Sequence, residues 1–315
     1  MKAGLHWSLG ASLIVAAPAS AQSDQTREYA VERPGQADRP DDTQDIGFRI
    51  DRDDRLTVAV RLGGKGPFRF LVDTGATRTV VSTAVATALG LSTGPVARLH
   101  STTGTSLVRT AIVPQLEFGP GRVRHVEAAL LEASHMGADG IIGVDSLRSE
   151  RVVFDFRARL ISIVPPKQRV RDEQGTIVVR GKLRQGHLIV TSATANRATL
   201  TAILDTGSEI TMGNAALRGA LEARGRLGPA ERVSMRSVTG EILVGEAFAM
   251  KTVTIGEVEL HDLVILFAAS PIFHRLGLES KPAMLLGMNA MRAFDKVSID
   301  FARKRLRMTV PAVPP

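Results

Sequence analysis

From residue 46 onward the chain is a succession of short apolar runs separated by glycine, proline and polar clusters. Some runs alternate, as in Leu56-Thr57-Val58-Ala59-Val60. Others are nearly continuous, as in Phe68-Arg69-Phe70-Leu71-Val72. Period-two alternation marks a half-buried strand, and a short apolar run bounded by turn residues marks a strand covered on both faces. The pattern predicts a mainly β protein. Helical spacing occurs in two short stretches. One begins after Ser82, a good N-cap, carries Ala84, Val85, Ala88 and Leu89, and stops at Gly90. The other begins near Asn214, carries Leu217 and Leu221, and stops by Gly225.

These segments recur in order. Phe70-Leu71-Val72-Asp73-Thr74-Gly75-Ala76-Thr77 matches Ala202-Ile203-Leu204-Asp205-Thr206-Gly207-Ser208-Glu209. Ser101-Thr102-Thr103-Gly104 matches Ser237-Val238-Thr239-Gly240, with 31 and 35 residues from Asp to Gly. Gly140-Ile141-Ile142-Gly143-Val144-Asp145 matches Met284-Leu285-Leu286-Gly287-Met288-Asn289. A strand closes each unit, Val152 to Phe156 and Val297 to Phe301, its Asp lying 12 and 13 residues past the Gly. Shared order and spacing imply a duplicated unit. Two copies are too few for a solenoid, and a pair of similar lobes facing one another about an approximate two-fold axis is the natural arrangement. The expected division is 46–168 and 169–315, with the break near Pro165-Pro166-Lys167-Gln168.

The first 45 residues lie outside that scheme. Lys2 and His6 precede an apolar run from Leu9 to Ala19, too short to span a bilayer, and Ala19-Ser20-Ala21 has the small-x-small form of a cleavage site. Residues 1–21 are therefore expected to be a signal peptide, an uncleaved anchor being the alternative, and the protein is expected to be periplasmic or secreted. Residues 22–45 carry seven acidic and three basic side chains and few large apolar ones, and are expected to form a flexible leader. No later segment is long and apolar enough to cross a membrane, so no stable membrane insertion is expected once the signal is removed. There is no cysteine, which excludes disulfides and thiolate metal sites. The seven histidines show no metal-ligand spacing, and no metal or cofactor is expected. His125 and His261 are read as structural or exposed. The formal charge of +8 comes from scattered rather than clustered basic residues, so no nucleic-acid partner is expected. Gly63-Gly64-Lys65-Gly66 lacks the Ser/Thr and helix of a phosphate loop and reads as a hairpin turn.

The chemistry lies in the repeated Asp-Thr-Gly. Each copy ends an apolar strand, and Gly75 and Gly207 permit a tight turn and close backbone approach. About a two-fold axis, Asp73 and Asp205 meet. Carboxylates about 3 Å apart cannot both ionise easily, so they share a proton. One then serves as general base toward a water and the other as general acid toward an amide. The hydroxyls of Thr74 and Thr206 are placed to bond across the axis and brace the loops. Ile141-Ile142-Gly143 and Leu285-Leu286-Gly287 are expected to pack beside the Asp strands. Asp155 and Asp300 read as turn-pairing groups.

This order of strand, Asp-Thr-Gly-(Ala/Ser), helix, glycine-containing hairpin and Ile-Ile-Gly-like strand resembles the retropepsin-like aspartic proteases. It is most similar to bacterial members that fuse two such units in one chain, over roughly residues 48–310. The resemblance implies two similar β-barrel lobes with one short helix each, a cleft between them, and hairpin flaps near Val96–Ser106 and Val233–Ile242. It implies catalysis by Asp73 and Asp205 without a cofactor, on a peptide or protein substrate; the duplication, which puts both aspartates in one chain, leads us to expect a monomer with an internal pseudo-two-fold axis. Flap residues Gly104 and Gly240, together with Thr77 and Glu209 just after the two motifs, are the expected substrate contacts. The chain departs from the pattern in two respects. Its only tyrosine, Tyr29, is in neither flap. Thr77 stands where the other copy has the acid Glu209, so the cleft is expected to be lopsided; Arg78 beside it either biases the dyad toward ionisation or points to solvent. An aspartic endopeptidase, best in mildly acidic conditions, is the leading expectation. A catalytically silent peptide-binding or chaperone-like module on the same fold is the alternative. A glycosidase fits less well, since it needs carboxyls about 5 Å or more apart and usually aromatic platforms.

Overall fold

In a computed structural model, the residues described are 44–47, 49–50, 56–119, 121–164 and 172–311. The expected signal peptide, the inter-lobe break at 165–168 and most of the expected leader lie outside them. Gln44–Gly47 forms a strand, so regular structure begins just ahead of the boundary expected at Ile46.

Each lobe is built on six barrel strands. In the first they are β1 (Leu56–Leu62), β2 (Lys65–Val72), β3 (Val80–Ser82), β4 (Thr110–Phe118), β5 (Gly121–Leu131) and β6 (Gly140–Ile142). In the second they are β7 (His187–Ala195), β8 (Ala198–Leu204), β9 (Thr211–Gly213), β10 (Ile242–Ile255), β11 (Val258–Phe267) and β12 (Ala283–Leu286). The order β1-β2-β6-β3-β5-β4 closes through β1–β4, and β7-β8-β12-β9-β11-β10 closes through β7–β10. Closure leaves no open edge. The two barrels have the same order, as the duplication predicts.

Local sequence explains the elements. Gly63 and Gly64 take positive φ between β1 and β2, and Asn196 and Arg197 do so between β7 and β8. Both are two-residue turns of the twist that suits a hairpin. β2 runs from exposed to fully buried residues, ending in Phe70, Leu71 and Val72 just before Asp73. Helix α1 (Thr83–Leu89) is capped by the Ser82 hydroxyl, which accepts from the Val85 N–H, and ends at Gly90 in the left-handed region. Its counterpart, here numbered α4 (Ala215–Glu222), is capped by Asn214, which accepts from the Leu217 N–H at 2.9 Å. Four single-turn helices accompany them: α2 (Ala133–Met136), α3 (Val144–Leu147), α5 (Ile272–Arg275) and α6 (Met288–Met291). Four residues are too few to display a 3.6-residue period, which is why only one helix per lobe is legible in the sequence.

The closing strands of the two lobes pair with each other. Arg151–Asp155 runs antiparallel to Lys296–Asp300, with Val153 opposite Ser298. Leu160–Val164 and Arg305–Thr309 flank them, and Gln44–Gly47 and Thr176–Arg180 form the edges. One six-stranded sheet thus spans both lobes, three strands from each side of the pseudo-axis. Asp155 and Asp300 accept from the N–H of Ala158 and Arg303, each at 2.7 Å, which bears out their reading as turn-pairing groups. Phe154, Ile161, Ile299 and Leu306 are buried on this sheet and belong to a core that runs without a break into both barrels.

Phe154→Ala removes a fully buried ring from the layer shared by the lobes. It is expected to lower unfolding free energy by about 3–5 kcal/mol, measured by urea denaturation followed by far-UV circular dichroism. A loss below about 1 kcal/mol would show that this sheet does not carry the lobe junction.

Candidate active site

Asp73 and Asp205 follow directly on β2 and β8. Each strand is continued by one further ladder bond, because the Asp73 N–H donates to the Ile142 carbonyl at 3.1 Å and the Asp205 N–H to the Leu286 carbonyl at 3.0 Å. β6 and β12 thus lie parallel beside the Asp strands, where the apolar-apolar-Gly motifs were expected. The two Asp-Thr-Gly loops are then locked together. Thr74 Oγ1 donates to the Leu204 carbonyl at 3.0 Å and accepts from the Thr206 N–H at 3.1 Å. Thr206 Oγ1 donates to the Val72 carbonyl at 2.7 Å and accepts from the Thr74 N–H at 3.0 Å. All four bonds are buried between lobes, and Thr74 itself is fully buried.

The glycines are needed for contact between the loops. A Cβ on Gly75 would overlap the Asp205 carboxyl, and one on Gly207 would overlap that of Asp73. Each carboxyl therefore rests on the glycine of the other lobe, and the two carboxyls hydrogen-bond each other. Asp205 is buried, while Asp73 is partly open to the cleft.

The pair is not symmetric. Asp73 Oδ1 accepts from the N–H groups of Gly75 and Ala76 at 2.7 and 3.0 Å, whereas Asp205 Oδ1 accepts from Gly207 at 3.1 Å. Hydrogen bonds to a carboxylate favour its ionised form. Burial, and then the neighbouring Asp73 charge, push the Asp205 carboxyl up to about 8, against the N–H groups of Gly207 and Ser208. Burial also raises Asp73, but its two N–H donors, His187 and the bond from Asp205 pull it back. The shared proton thus belongs on Asp205, and Asp73 carries the charge.

A second pair of braces holds the loops from behind. In the first lobe the Thr79 N–H and Oγ1 donate to Asp145 at 3.1 and 2.8 Å. In the second the Thr211 N–H and Oγ1 donate to Asn289 Oδ1 at 2.9 and 2.8 Å. Thr79 and Thr211 also accept from the N–H of Gly143 and Gly287. The duplicated Gly-x-(Asp/Asn) sequence held the signal for this role, but a polar residue after an apolar strand does not announce its partner.

Hairpins cover the dyad. Ala97–His100 and Thr105–Val108 form the first, turning at Ser101–Gly104; Glu231–Arg236 pairs with the start of β10 to form the second, turning at Ser237–Glu241. These lie where the flaps were expected, with Gly104 and Gly240 in the turns. The tips meet: Thr103 Oγ1 donates to Ser237 Oγ at 3.2 Å and also contacts Glu241. Ser270 Oγ donates to the Thr102 carbonyl at 2.7 Å, docking the first flap on the second lobe. Beneath them is a cleft of about 400 Å³ with both aspartates on its floor. Thr77 and Arg78 line it. Glu209 is not among its lining residues, and its carboxylate pairs with Arg292, the residue that ends α6, at 2.8 Å. The asymmetry between Thr77 and Glu209 thus becomes a difference in where the two side chains go.

His187, which has no counterpart signal in the sequence, is buried in the cleft wall with Nδ1 3.2 Å from the Thr74 carbonyl. Burial keeps its imidazole neutral below its usual range, against the pull of that carbonyl and of Asp73. Among the described residues no group of three or more His, Cys, Asp or Glu side chains could hold a metal.

A family model of aspartyl proteases matches the chain twice, over residues 58–146 and 191–290. The chain belongs to the aspartyl protease family. Each match covers most of one barrel together with its Asp-Thr-Gly loop, its flap and its apolar-apolar-Gly strand, so the chain is a two-lobed, retropepsin-like duplicate. A search of curated proteins gave no match.

Thr74→Val leaves the Thr206 N–H and the Leu204 carbonyl buried without partners. Expected is a loss of about 1–3 kcal/mol in unfolding free energy, with Thr206→Val behaving alike. The proton on the dyad gives a second outcome. In the unfolded chain an aspartate releases its proton near 3.8, whereas folded Asp205 keeps it to about 8. The folded state therefore binds more protons in that window, and stability falls as pH rises from about 4 to about 8. Asp205→Asn removes the buried titrating group. The variant is expected to be more stable than wild type at pH 8, the difference closing toward pH 4. A pH-independent difference in denaturation midpoint would contradict the assignment.

Proposed function

We propose that the chain is an active aspartic endopeptidase. The observation that carries this reading is the pair of carboxyls, each resting on the glycine of the other lobe and held by reciprocal threonine bonds across the lobe junction. In the proposed reaction Asp73 takes a proton from a water that attacks the scissile carbonyl, and Asp205 donates its proton to the carbonyl oxygen. The carboxyls then exchange roles as the tetrahedral intermediate collapses and the amine leaves. No covalent enzyme intermediate and no cofactor are required. An extended peptide would lie in the cleft with its backbone bonded by the flap strands. The flap turns at Gly104 and Gly240 and the cleft-lining Thr77 would contact it, while Glu209 would act indirectly through Arg292 and α6. Substrate entry requires the flaps to part, breaking the Ser270–Thr102 and Thr103–Ser237 bonds. Each lobe supplies one aspartate, so a monomer is sufficient. The amino-terminal signal pattern supports action in the periplasm or outside the cell.

Asp73→Asn and Asp205→Asn are each expected to lower kcat for a peptide substrate by about a thousandfold or more with the fold retained by circular dichroism. Peptide binding by the wild type without any cleavage between pH 4 and 8 would instead support the silent binding module. Because Asp205 must hold the proton it donates, kcat/KM is expected to fall as pH rises through about 8. Activity therefore extends further toward neutrality than a pair of ordinary carboxyls would allow.

A further inference from the structure

The cleft walls carry a charge that the reaction does not use. Arg78, Arg98, Arg236 and Arg275 line it, and the only carboxylates in the lining are Asp73 and Asp205. Among the described residues none of the four is ion-paired. Arg218, Arg292 and Arg307, elsewhere in the second lobe, each have a carboxylate within 2.8 Å. The dyad's protonation is set foremost by burial and its own N–H donors, so the cleft arginines are open to a ligand.

Two of them converge. Arg98 projects from the first flap strand and Arg275 ends α5 of the opposite lobe. Both bear on His100, which burial first and then these two charges hold neutral. The charge of Arg275 also reaches His187, beside Asp73. The flap is docked at this corner by the Ser270–Thr102 bond. Arg98 and Arg275 thus form a cationic corner of the cleft that holds the reacting carboxyls, with no counter-charge paired to either among the described residues. Counted back from the positive-φ glycines Gly137 and Gly277, Met136 matches the buried Leu276 and Arg275 matches His135, which lies against Gly240 of the second flap; of that pair Arg275 lines the cleft, so the arginine occurs on one side of the pseudo-axis only.

We propose that the cleft selects peptides with an aspartate or glutamate next to the scissile bond, and that Arg98 and Arg275 are the residues that determine this specificity. The inference rests on the peptidase reading. Guanidinium groups in a partly enclosed cleft make stronger, less screened bonds to a carboxylate than exposed pairs do. An apolar peptide would leave these charges partly desolvated with nothing in return.

The test uses the full chain and a mixed-sequence peptide library, with cleavage sites read by mass spectrometry. Acidic residues are expected to be enriched on one side of the cut bond. A glutamate peptide and its glutamine twin are then compared. The glutamate peptide should be cleaved with kcat/KM about tenfold higher at low salt, chiefly through KM, and the ratio should shrink as salt is raised to about 0.5 M. Arg98→Gln with Arg275→Gln should bring the ratio toward one, whereas Arg124→Gln, on the outside of the first barrel, should keep the wild-type ratio. Equal cleavage of the twins, or a ratio indifferent to the double variant, overturns the proposal. Should the wild type cut no peptide, the peptidase reading fails by itself. The specificity claim is then decided by anisotropy with labelled peptides on Asp73→Asn: tighter glutamate binding that is lost in the double variant sustains it, and equal binding overturns it.

Discussion

The four hydrogen bonds exchanged by Thr74 and Thr206 are the constraint on which the rest of the site depends. Each threonine hydroxyl bonds the strand end and the loop N–H of the other lobe. Neither loop can shift without breaking bonds on both sides of the axis, and buried groups left unpaired are costly. That rigidity allows each carboxyl to sit against the opposite glycine, where any side chain would collide. Burial first, and then the proximity of the carboxyls, raises Asp205, while the N–H donors of Asp73 keep the charge there.

Two further layers hold this centre. Thr79 with Asp145 and Thr211 with Asn289 tie the loops to the helices behind them, and the six-stranded sheet beneath joins the lobes through ordinary strand pairing. The fold thus uses a symmetric frame to position an asymmetric site. Asymmetry enters wherever the two copies have diverged. Thr77 faces the cleft while Glu209 pairs with Arg292. His187 lies against the Thr74 loop. Arg275 lines the cleft where the first lobe has His135, set against Gly240 of the second flap. The proton on Asp205 and the cationic corner at Arg98 and Arg275 both follow from such differences.

The sequence by itself determined the duplication, the β class, both principal helices with their caps, the Asp-Thr-Gly pair and the approximate place of the flaps. Those features reside in local pattern: strand periodicity, a capping residue, a turn glycine and a motif repeated at constant spacing. Only the tertiary structure decided how the closing strands meet, because Val153 and Ser298 are far apart in the chain and alternation along a strand does not name its partner. The same holds for the link from Glu209 to Arg292, for His187 and for the arginines of the cleft. Each depends on where a side chain points once two lobes have packed, and on what burial does to its charge. Most of all, the location of the proton was beyond the sequence. It depends on closer N–H donors at Asp73 and deeper burial at Asp205, differences that exist only after two nearly identical loops are brought face to face.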